Sequence, residues 1–157
     1  MNRASAILKL AELFETAIKL AKHPSAGMLF VCPEDKTVFL TKRSQEMSSP
    51  GTWDIQGGKH SDEDSNSKET ATREATEEIT TLPSKKKLEG NHVLNRENKD
   101  YIIYIYSISK KEKDAWTPKI DLDYESESYK WFPYDKLPKN THLELDWLKD
   151  KFDELFP

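Results

Sequence analysis

Cysteine is the scarcest reactive residue in this 157-residue chain. The single one, Cys32, cannot form an internal disulfide, and its neighbours in MLFVCPED mark a buried strand thiol rather than an activated one. That usage fits a reducing compartment, and the expected location is cytoplasmic. Long apolar runs are missing too. The N-terminal stretch MNRASAILKLAELFETAIKL carries Lys9, Glu12 and Glu15 inside its apolar pattern, which excludes a signal h-region and a membrane span. There is no excess of positive charge: the formal net charge is -4, so neither a nucleic-acid duplex nor an anionic membrane is an expected partner. No P-loop, H-E-x-x-H or nucleophile-elbow pattern occurs. The four histidines, His23, His60, His92 and His142, are scattered without ligand spacing.

What is present is enough for one folded domain. Hydrophobic residues make up 36% and charged residues 33%, with four Trp, six Tyr and six Phe, more aromatic content than a disordered chain carries. The expectation is a single globular unit over residues 1–157, with no internal repeat and no linker. Apolar residues at three- and four-residue spacing predict an amphipathic helix over residues 4–21, stopped by Pro24. AGMLFVC and TVFLTKR, joined by PEDK, read as a buried hairpin. WDIQ reads as a short strand, GGKHSDEDSNS as a polar loop, and Ser67 to Ile79 as a helix with Ala71, Ala75 and Ile79 on its buried face. LEGNHVLN and KDYIIYIYSIS read as a strand pair and YKWF as a further strand; Leu143 to Leu155 forms a C-terminal helix. The irregular alternation predicts an α/β fold with a mixed sheet packed between helices.

One feature of the central helix runs against helix physics. ATREATEEIT, residues 71–80, places Glu74, Glu77 and Glu78 at the C-terminal end of the helix. Unpaired carbonyls there carry partial negative charge, so each acid costs roughly 0.3–1 kcal/mol. Glu74 and Glu78, four apart, add a like-charge penalty of a few tenths of a kcal/mol, about 0.2–0.5. A hard divalent cation reverses both penalties, because carboxylates one turn apart can converge on one ion. Arg73, four before Glu77, can pin one carboxylate. The competing reading is a solvated acidic surface, since glutamate is a good helix former. The paired glycines Gly57 and Gly58, directly after a strand, mark close backbone approach or a simple turn. An EF-hand reading of Asp62, Asp64 and Asn66 fails, because Ser67 stands where the tight-turn glycine belongs and Arg73 where the bidentate glutamate belongs.

Together these pieces resemble the Nudix hydrolase superfamily, whose signature is a glycine, a glutamate six residues on, then R-E-x-x-E-E and a glycine. Gly58, Arg73, Glu74, Glu77 and Glu78 occupy matching positions in a box from Gly58 to Thr81. SAGMLFV, LTKRS, PGTW and GGK before the box and YKWFPYDKLP after it extend the resemblance over roughly residues 25–150. The box departs from the signature in three ways. It has one extra residue within HSDEDSNS, Asp64 or Glu63 for the early glutamate, and Thr80 at the closing glycine. A threonine forced into a left-handed cap would be strained, so the helix is expected to end differently here.

The resemblance implies a Nudix fold, with the sheet between helices in an α/β/α arrangement. It also implies hydrolysis of a nucleoside diphosphate linked to a group X, by water attacking a pyrophosphate phosphorus. Mg²⁺ or Mn²⁺ would absorb transition-state charge and lower the pKa of a coordinated water. The implied metal ligands are Glu74 and Glu78, with Glu77 on a second ion and the Gly57 carbonyl as a further ligand. Arg73 would orient them. By analogy with family loops that run E-x-x-x-Y-x-W, the general base is expected at Glu125, with Glu127 as the alternative in DYESESYKW. Lys42, Arg43 and Lys59 are the expected phosphate contacts, and Trp53 or Tyr104 the expected base-stacking groups, core packing being their plainer role. A compact chain fits nucleoside triphosphates or dinucleoside polyphosphates. ADP-ribose or nucleotide-sugar hydrolysis, and a non-catalytic nucleotide- or protein-binding domain, are the alternatives. A homodimer is a further expectation, with the N-terminal helix as an interface.

Overall fold

The computed structural model describes residues 3–22, 24–79, 81–83, 92–95, 100–119 and 125–156. A first helix, α1 (Arg3–Lys22), leads into β1 (Ser25–Cys32) and β2 (Thr37–Arg43). These two pair antiparallel, as the hairpin pattern predicts, with Val31 opposite Val38 and Cys32 opposite Thr37. The turn between them is closed by Lys36 at φ 55 and by Thr37 Oγ1 donating to Asp35 at 2.6 Å.

The stretch read as one strand at WDIQ is two: β3 (Trp53–Asp54) and β4 (Gln56–Gly58). The reason is how β1 shares one edge. Its first half, Ala26 to Met28, pairs with β4, and its end, Val31 and Cys32, pairs with β2. Strand β2 then leaves β1 and takes β3 at Thr41 and Lys42. The sheet therefore parts beside the middle of β1, and Gln56 bridges the opening by donating from Nε2 to Thr41 Oγ1 at 3.0 Å. Gly57 and Gly58, expected in a loop, are strand residues opposite Gly27 and Ala26.

After the helix α2 (Ser67–Glu78) come β5 (His92–Asn95) and β6 (Tyr101–Ser107), an antiparallel pair. Strand β6 runs parallel to β1 along its other edge. Strand β7 (Ser126–Pro133) covers the outer edge of β2, with a bulge at Lys42/Arg43. The strand is longer than YKWF and begins at Ser126. A six-residue helix, α3 (Lys110–Ala115), precedes it, capped by Ser109, which accepts from Glu112 N at 3.2 Å while its hydroxyl donates to the Glu112 carboxylate at 2.9 Å. The C-terminal helix is broken into α4 (Leu143–Lys149) and α5 (Phe152–Leu155). The stretch 88–91, Thr80 and His23 lie outside the described residues.

Alternation along the strands fills two cores, one on each face of the sheet. Leu29, Val31, Val38, Leu40, Ile103, Ile105 and Phe132 meet Leu145, Leu148, Phe152 and Phe156 of α4 and the α5 region on one face. Met28, Phe30, Phe39 and Tyr106 meet Ala75 and Ile79 at α2 on the other. This is the mixed sheet between helices. The first half of α1 stays out of both cores: Ile7, Leu8, Leu10 and Leu13 are each 64–67% exposed. Among the described residues no helix is long and apolar enough to cross a membrane.

Candidate active site

Helix α2 starts at a capping box. Asn66 Oδ1 accepts from Glu69 N at 2.9 Å, and the Glu69 carboxylate reaches back to Ser65 N at 2.6 Å. Thr70, Ala71 and Ala75 lie against the sheet, and the last turn holds no basic residue to offset its acids. The described part of the helix end stops at Ile79, just before Thr80. Ile79 is extended at φ -125, ψ 104, its N–H still bonded to Ala75 O at 2.7 Å and its side chain buried. A β-branched residue is at ease in that conformation.

Arg73 ties the acidic helix to the loop before it. Its guanidinium meets Asp64 Oδ1 from Nε at 3.0 Å and Asp64 Oδ2 from Nη2 at 3.1 Å. It also donates to Glu74 and Glu77, each at 3.1 Å, and to the Lys59 carbonyl at 2.9 Å. Asp64 further accepts from Ser61 N and Thr70 Oγ1, both at 2.9 Å. These bonds, the Arg73 contact first, outweigh burial and hold the Asp64 carboxyl well below the usual carboxylate range, while Asp64 raises the Arg73 pKa in return. Asp64 is buried and Glu63 exposed, so it is Asp64 that faces Arg73. The loop 61–66, within which the sequence expectation puts the extra residue, is turned tightly, Asp64 N donating to Ser61 O at 2.9 Å.

Two carboxylates point inward from α2. Glu74 lies over Gly58, where a Cβ would stand 2.5 Å from Oε1 and 2.7 Å from Oε2, so the glycine makes room for an acid. Burial first, and then the charge of Glu77, raise the Glu74 pKa against the pull of Arg73. The Glu78 carboxyl is enclosed, although the residue keeps partial exposure, and it faces Glu125, Asp54 and Glu74. Burial, the charges of those three acids, and a hydrogen bond with Glu125 push its pKa well above the ordinary carboxylate value. Glu78 and Glu125 line a cavity of about 20 Å³ together with Asp54, Thr41, Arg43, Met47, Ile55 and Ser126. That volume accommodates one water molecule or one bare cation. A larger hollow of about 560 Å³, open to solvent, lies along the start of α2 and borders the Asp64–Arg73 pair, while neither Glu74 nor Glu78 lines it.

The residues present fit a hard divalent cation. Their donors are carboxylate oxygens, and Glu78 is enclosed among more negative charge than its immediate surroundings neutralise. The shell is not closed in advance: among the described residues no three Asp, Glu, His or Cys side chains already stand in ion-binding geometry. Glu77 turns away from the cavity to Arg73, with its side chain 54% exposed.

The other expected contacts are spread more widely. Lys42 pairs with Glu127 at 3.4 Å. Arg43 lines the cavity while donating to Ser48 O at 2.7 Å and Ser48 Oγ at 2.9 Å, and stands 3.7 Å from Asp54. Lys59 contributes its carbonyl to Arg73, its own residue being exposed. Gly57 faces Gly27 and the Tyr101 hydroxyl. Trp53 packs edge-on to Phe132 at 4.8 Å, in the core on the face of the sheet opposite α2. Tyr104 shares a 2.6 Å hydrogen bond with Ser67. Asp54 and His142 were not singled out by the sequence. Asp54 sits beside Glu78, with His142 Nδ1 3.2 Å away, and no local spacing in the sequence marks its placement.

A family model described as the NUDIX domain matches residues 21–155. The chain belongs to that family of pyrophosphohydrolases, which act on nucleoside diphosphate-linked substrates and generally need divalent metal ions. Solved structures agree on the fold. A Nudix hydrolase from M. smegmatis, RenU, is 19% identical with a TM-score of 0.62, covering 85% of this chain and 84% of its own. A C. elegans Ap4A hydrolase in a binary complex is 19% identical with a TM-score of 0.57, covering 83% and 96%. The NUDIX domain of Shewanella oneidensis NrtR, complexed with ADP ribose, is 16% identical with a TM-score of 0.54, covering 85% and 87%. No curated protein matches the chain.

Proposed function

We propose that this chain is a Mg²⁺- or Mn²⁺-dependent hydrolase that cleaves a pyrophosphate bond in a nucleoside triphosphate or a dinucleoside polyphosphate. The observation that carries the reading is the enclosed Glu78 carboxyl, which shares a cavity of ion size with Glu125 and Asp54 and feels the charge of Glu74 as well. Three acids, Asp54, Glu78 and Glu125, line one small space with Glu74 nearby, and a cation among them would relieve the repulsion that a raised pKa otherwise relieves by protonation. In this reading Glu74 and Glu78 hold the ion, which supplies charge neutralisation at the phosphate oxygens. Arg73 keeps Glu74 aimed and is itself fixed by Asp64 and Glu77. Glu125 accepts the proton of the attacking water as the new phosphorus–oxygen bond forms and the bridging bond breaks. Its backbone is pinned for that role by Ser44 N at 2.9 Å. Asp54, held between Arg43 and His142, adds negative potential on the far wall.

The test is a panel of nucleoside triphosphates, dinucleoside polyphosphates, ADP-ribose and nucleotide sugars with Mg²⁺ or Mn²⁺. Released phosphate or pyrophosphate is detected, with added pyrophosphatase or phosphatase for coupling. Turnover that a chelator abolishes and that Glu78→Gln removes supports the assignment. Silence across the panel combined with tight nucleotide binding would support a binding domain without hydrolysis instead.

A further inference from the structure

We propose that Thr41 and Gln56 act as a pair on the attacking water; this inference rests on the nucleotide-hydrolase reading above. The Thr41 hydroxyl holds the water that Glu125 deprotonates, and Gln56 is the positioning residue that keeps the hydroxyl proton turned into the acidic cavity. Both side chains are buried, Thr41 at 3% and Gln56 at 0% exposure, where a polar atom is costly unless it is bonded. Gln56 breaks that rule. Its Nε2 donates to Thr41 Oγ1 at 3.0 Å, and its Oε1 has no partner among the described residues. A methionine of similar length would fill the space without stranding an oxygen. What the amide supplies is the bond to Thr41.

Strand geometry puts the pair at the wall of the site. Residues directly opposite in paired strands share a face of the sheet. Gln56 stands opposite Met28, which belongs to the core beneath α2, and so does Phe39, two residues before Thr41. Thr41 stands opposite Asp54 and lines the small cavity with Asp54, Glu78 and Glu125. Gln56 lies behind it, across the opening between β2 and β4. The direction of their bond decides the chemistry. A hydroxyl has one proton and two lone pairs, and the Gln56 N–H occupies a lone pair. The proton is left to point elsewhere. Its bond within the chain runs to the Asp54 carbonyl at 3.5 Å, the outer limit of a hydrogen bond. A water in the cavity finds carboxylates for its protons, and the Thr41 hydroxyl supplies the donor for one of its lone pairs. As one proton passes to Glu125, the second lone pair forms the bond to phosphorus, and the bridging oxygen leaves with the electron pair of its own bond.

The experiment uses the full chain with Mn²⁺ and the nucleotide that wild type turns over fastest among ATP, diadenosine tetraphosphate, ADP-ribose and UDP-glucose. It measures kcat, KM and Tm for wild type, Thr41→Val, Thr41→Ser, Gln56→Met and the double variant of Thr41→Val with Gln56→Met. The expected result is a kcat lowered about 10- to 100-fold in Thr41→Val and about tenfold or more in Gln56→Met, with KM within about threefold. Thr41→Ser, which keeps the hydroxyl, recovers most of the rate. The double variant is no slower than Thr41→Val, because Gln56 acts through that hydroxyl. A merely structural Gln56 would lower Tm and leave kcat, so the split between the two readouts separates the roles. Should Gln56→Met fail to fold, Gln56→Leu takes its place. A kcat within about threefold of wild type in Thr41→Val or in the Gln56 variant overturns the inference, as do losses that multiply in the double variant. A wild type that turns over none of these nucleotides defeats the hydrolase reading and this inference with it, whereas an active wild type with active variants defeats this inference alone.

Discussion

Replacing Gly58 by alanine separates the site from the fold. The added Cβ would stand 2.5 and 2.7 Å from the two Glu74 carboxylate oxygens, so the carboxylate must retreat by about 1 Å to reach ordinary contact. The obstacle is the far end of a flexible side chain. The stability loss is then a strained rotamer and a weakened Arg73 contact, about 1 kcal/mol, or about 2–4 °C in Tm for a chain of this size. The catalytic loss is larger, because an ion-holding carboxylate displaced by about 1 Å costs on the order of 100-fold in kcat. Gly57→Ala is the opposite case. Its Cβ would meet Gly27 Cα at 2.7 Å and Ala26 O at 2.8 Å, as well as the Tyr101 hydroxyl. Backbone cannot step aside within a strand pair, so overpacking of about 1–3 kcal/mol lowers Tm by roughly 3–10 °C. Thermal melts with and without Mn²⁺, together with initial rates on the best nucleotide of the panel, check both. Gly58→Ala should also lose most of the Mn²⁺-induced rise in Tm. The reasoning fails if Gly58→Ala keeps kcat within threefold of wild type, or if it melts as early as Gly57→Ala.

Glu78→Gln should abolish turnover and leave the metal-free protein at least as stable as wild type at neutral pH, read by chemical denaturation. Because the folded-state pKa of Glu78 is raised, the wild-type stabilisation from its protonated form is full below 4.5 and is lost as pH rises through the higher folded value. Metal-free wild type should therefore lose stability along that window, and Glu78→Gln should flatten the slope. Saturating Mg²⁺ should restore it, a 100-fold excess over Kd being worth about 2.7 kcal/mol. Asp64→Asn should destabilise by about 1–3 kcal/mol, since Arg73 keeps a half-buried charge with a poorer partner. The depressed Asp64 pKa gives stability that is present above 3.8 and lost as pH falls below it, so the variant should show a shallower acid limb in urea midpoints against pH. Lys113→Met removes bonds to Asp35 and Thr37, and the first of these is the largest of the contacts that, against burial, hold the Asp35 carboxyl at about 2. It should cost about 1 kcal/mol in urea denaturation while kcat stays unchanged.

The acidic helix was legible in the sequence because its charges oppose the helix dipole, and an unfavourable placement is informative in a way that a favourable one is not. The hairpin was legible from two short apolar runs joined by PEDK, and the sheet between helices from the irregular succession of helices and strands. What escaped has a common cause: it depends on which element shares an edge with which. WDIQGG reads as one strand followed by a turn, yet it divides because β1 gives half its edge to β4 and half to β2. Asp54 then falls beside Glu78, a neighbour far along the chain, and no local spacing announces it. The helix α3 carried a readable signal, the Ser109–Glu112 capping box, but its run of lysines has no apolar periodicity. The break between α4 and α5 has neither proline nor glycine at Asp150 and Lys151. The apolar pattern of α1 predicted a helix correctly, but not that the described side chains of its first half stand clear of the core.

The parallel register of β1 with β6, which joins Ser25 to Tyr101, has a consequence for how the chain reaches its folded state. The polypeptide loop closed by this pairing contains β2, β3, β4, the whole of α2 and β5. Entropy opposes so distant an encounter, and rates fall as the contacting residues lie further apart in sequence. A nascent chain still short of β6 leaves one side of β1 without its hydrogen-bonding neighbour, an edge available for misassociation. Both edges of β1 are thus covered only late in synthesis, after the segment around Tyr101 has emerged.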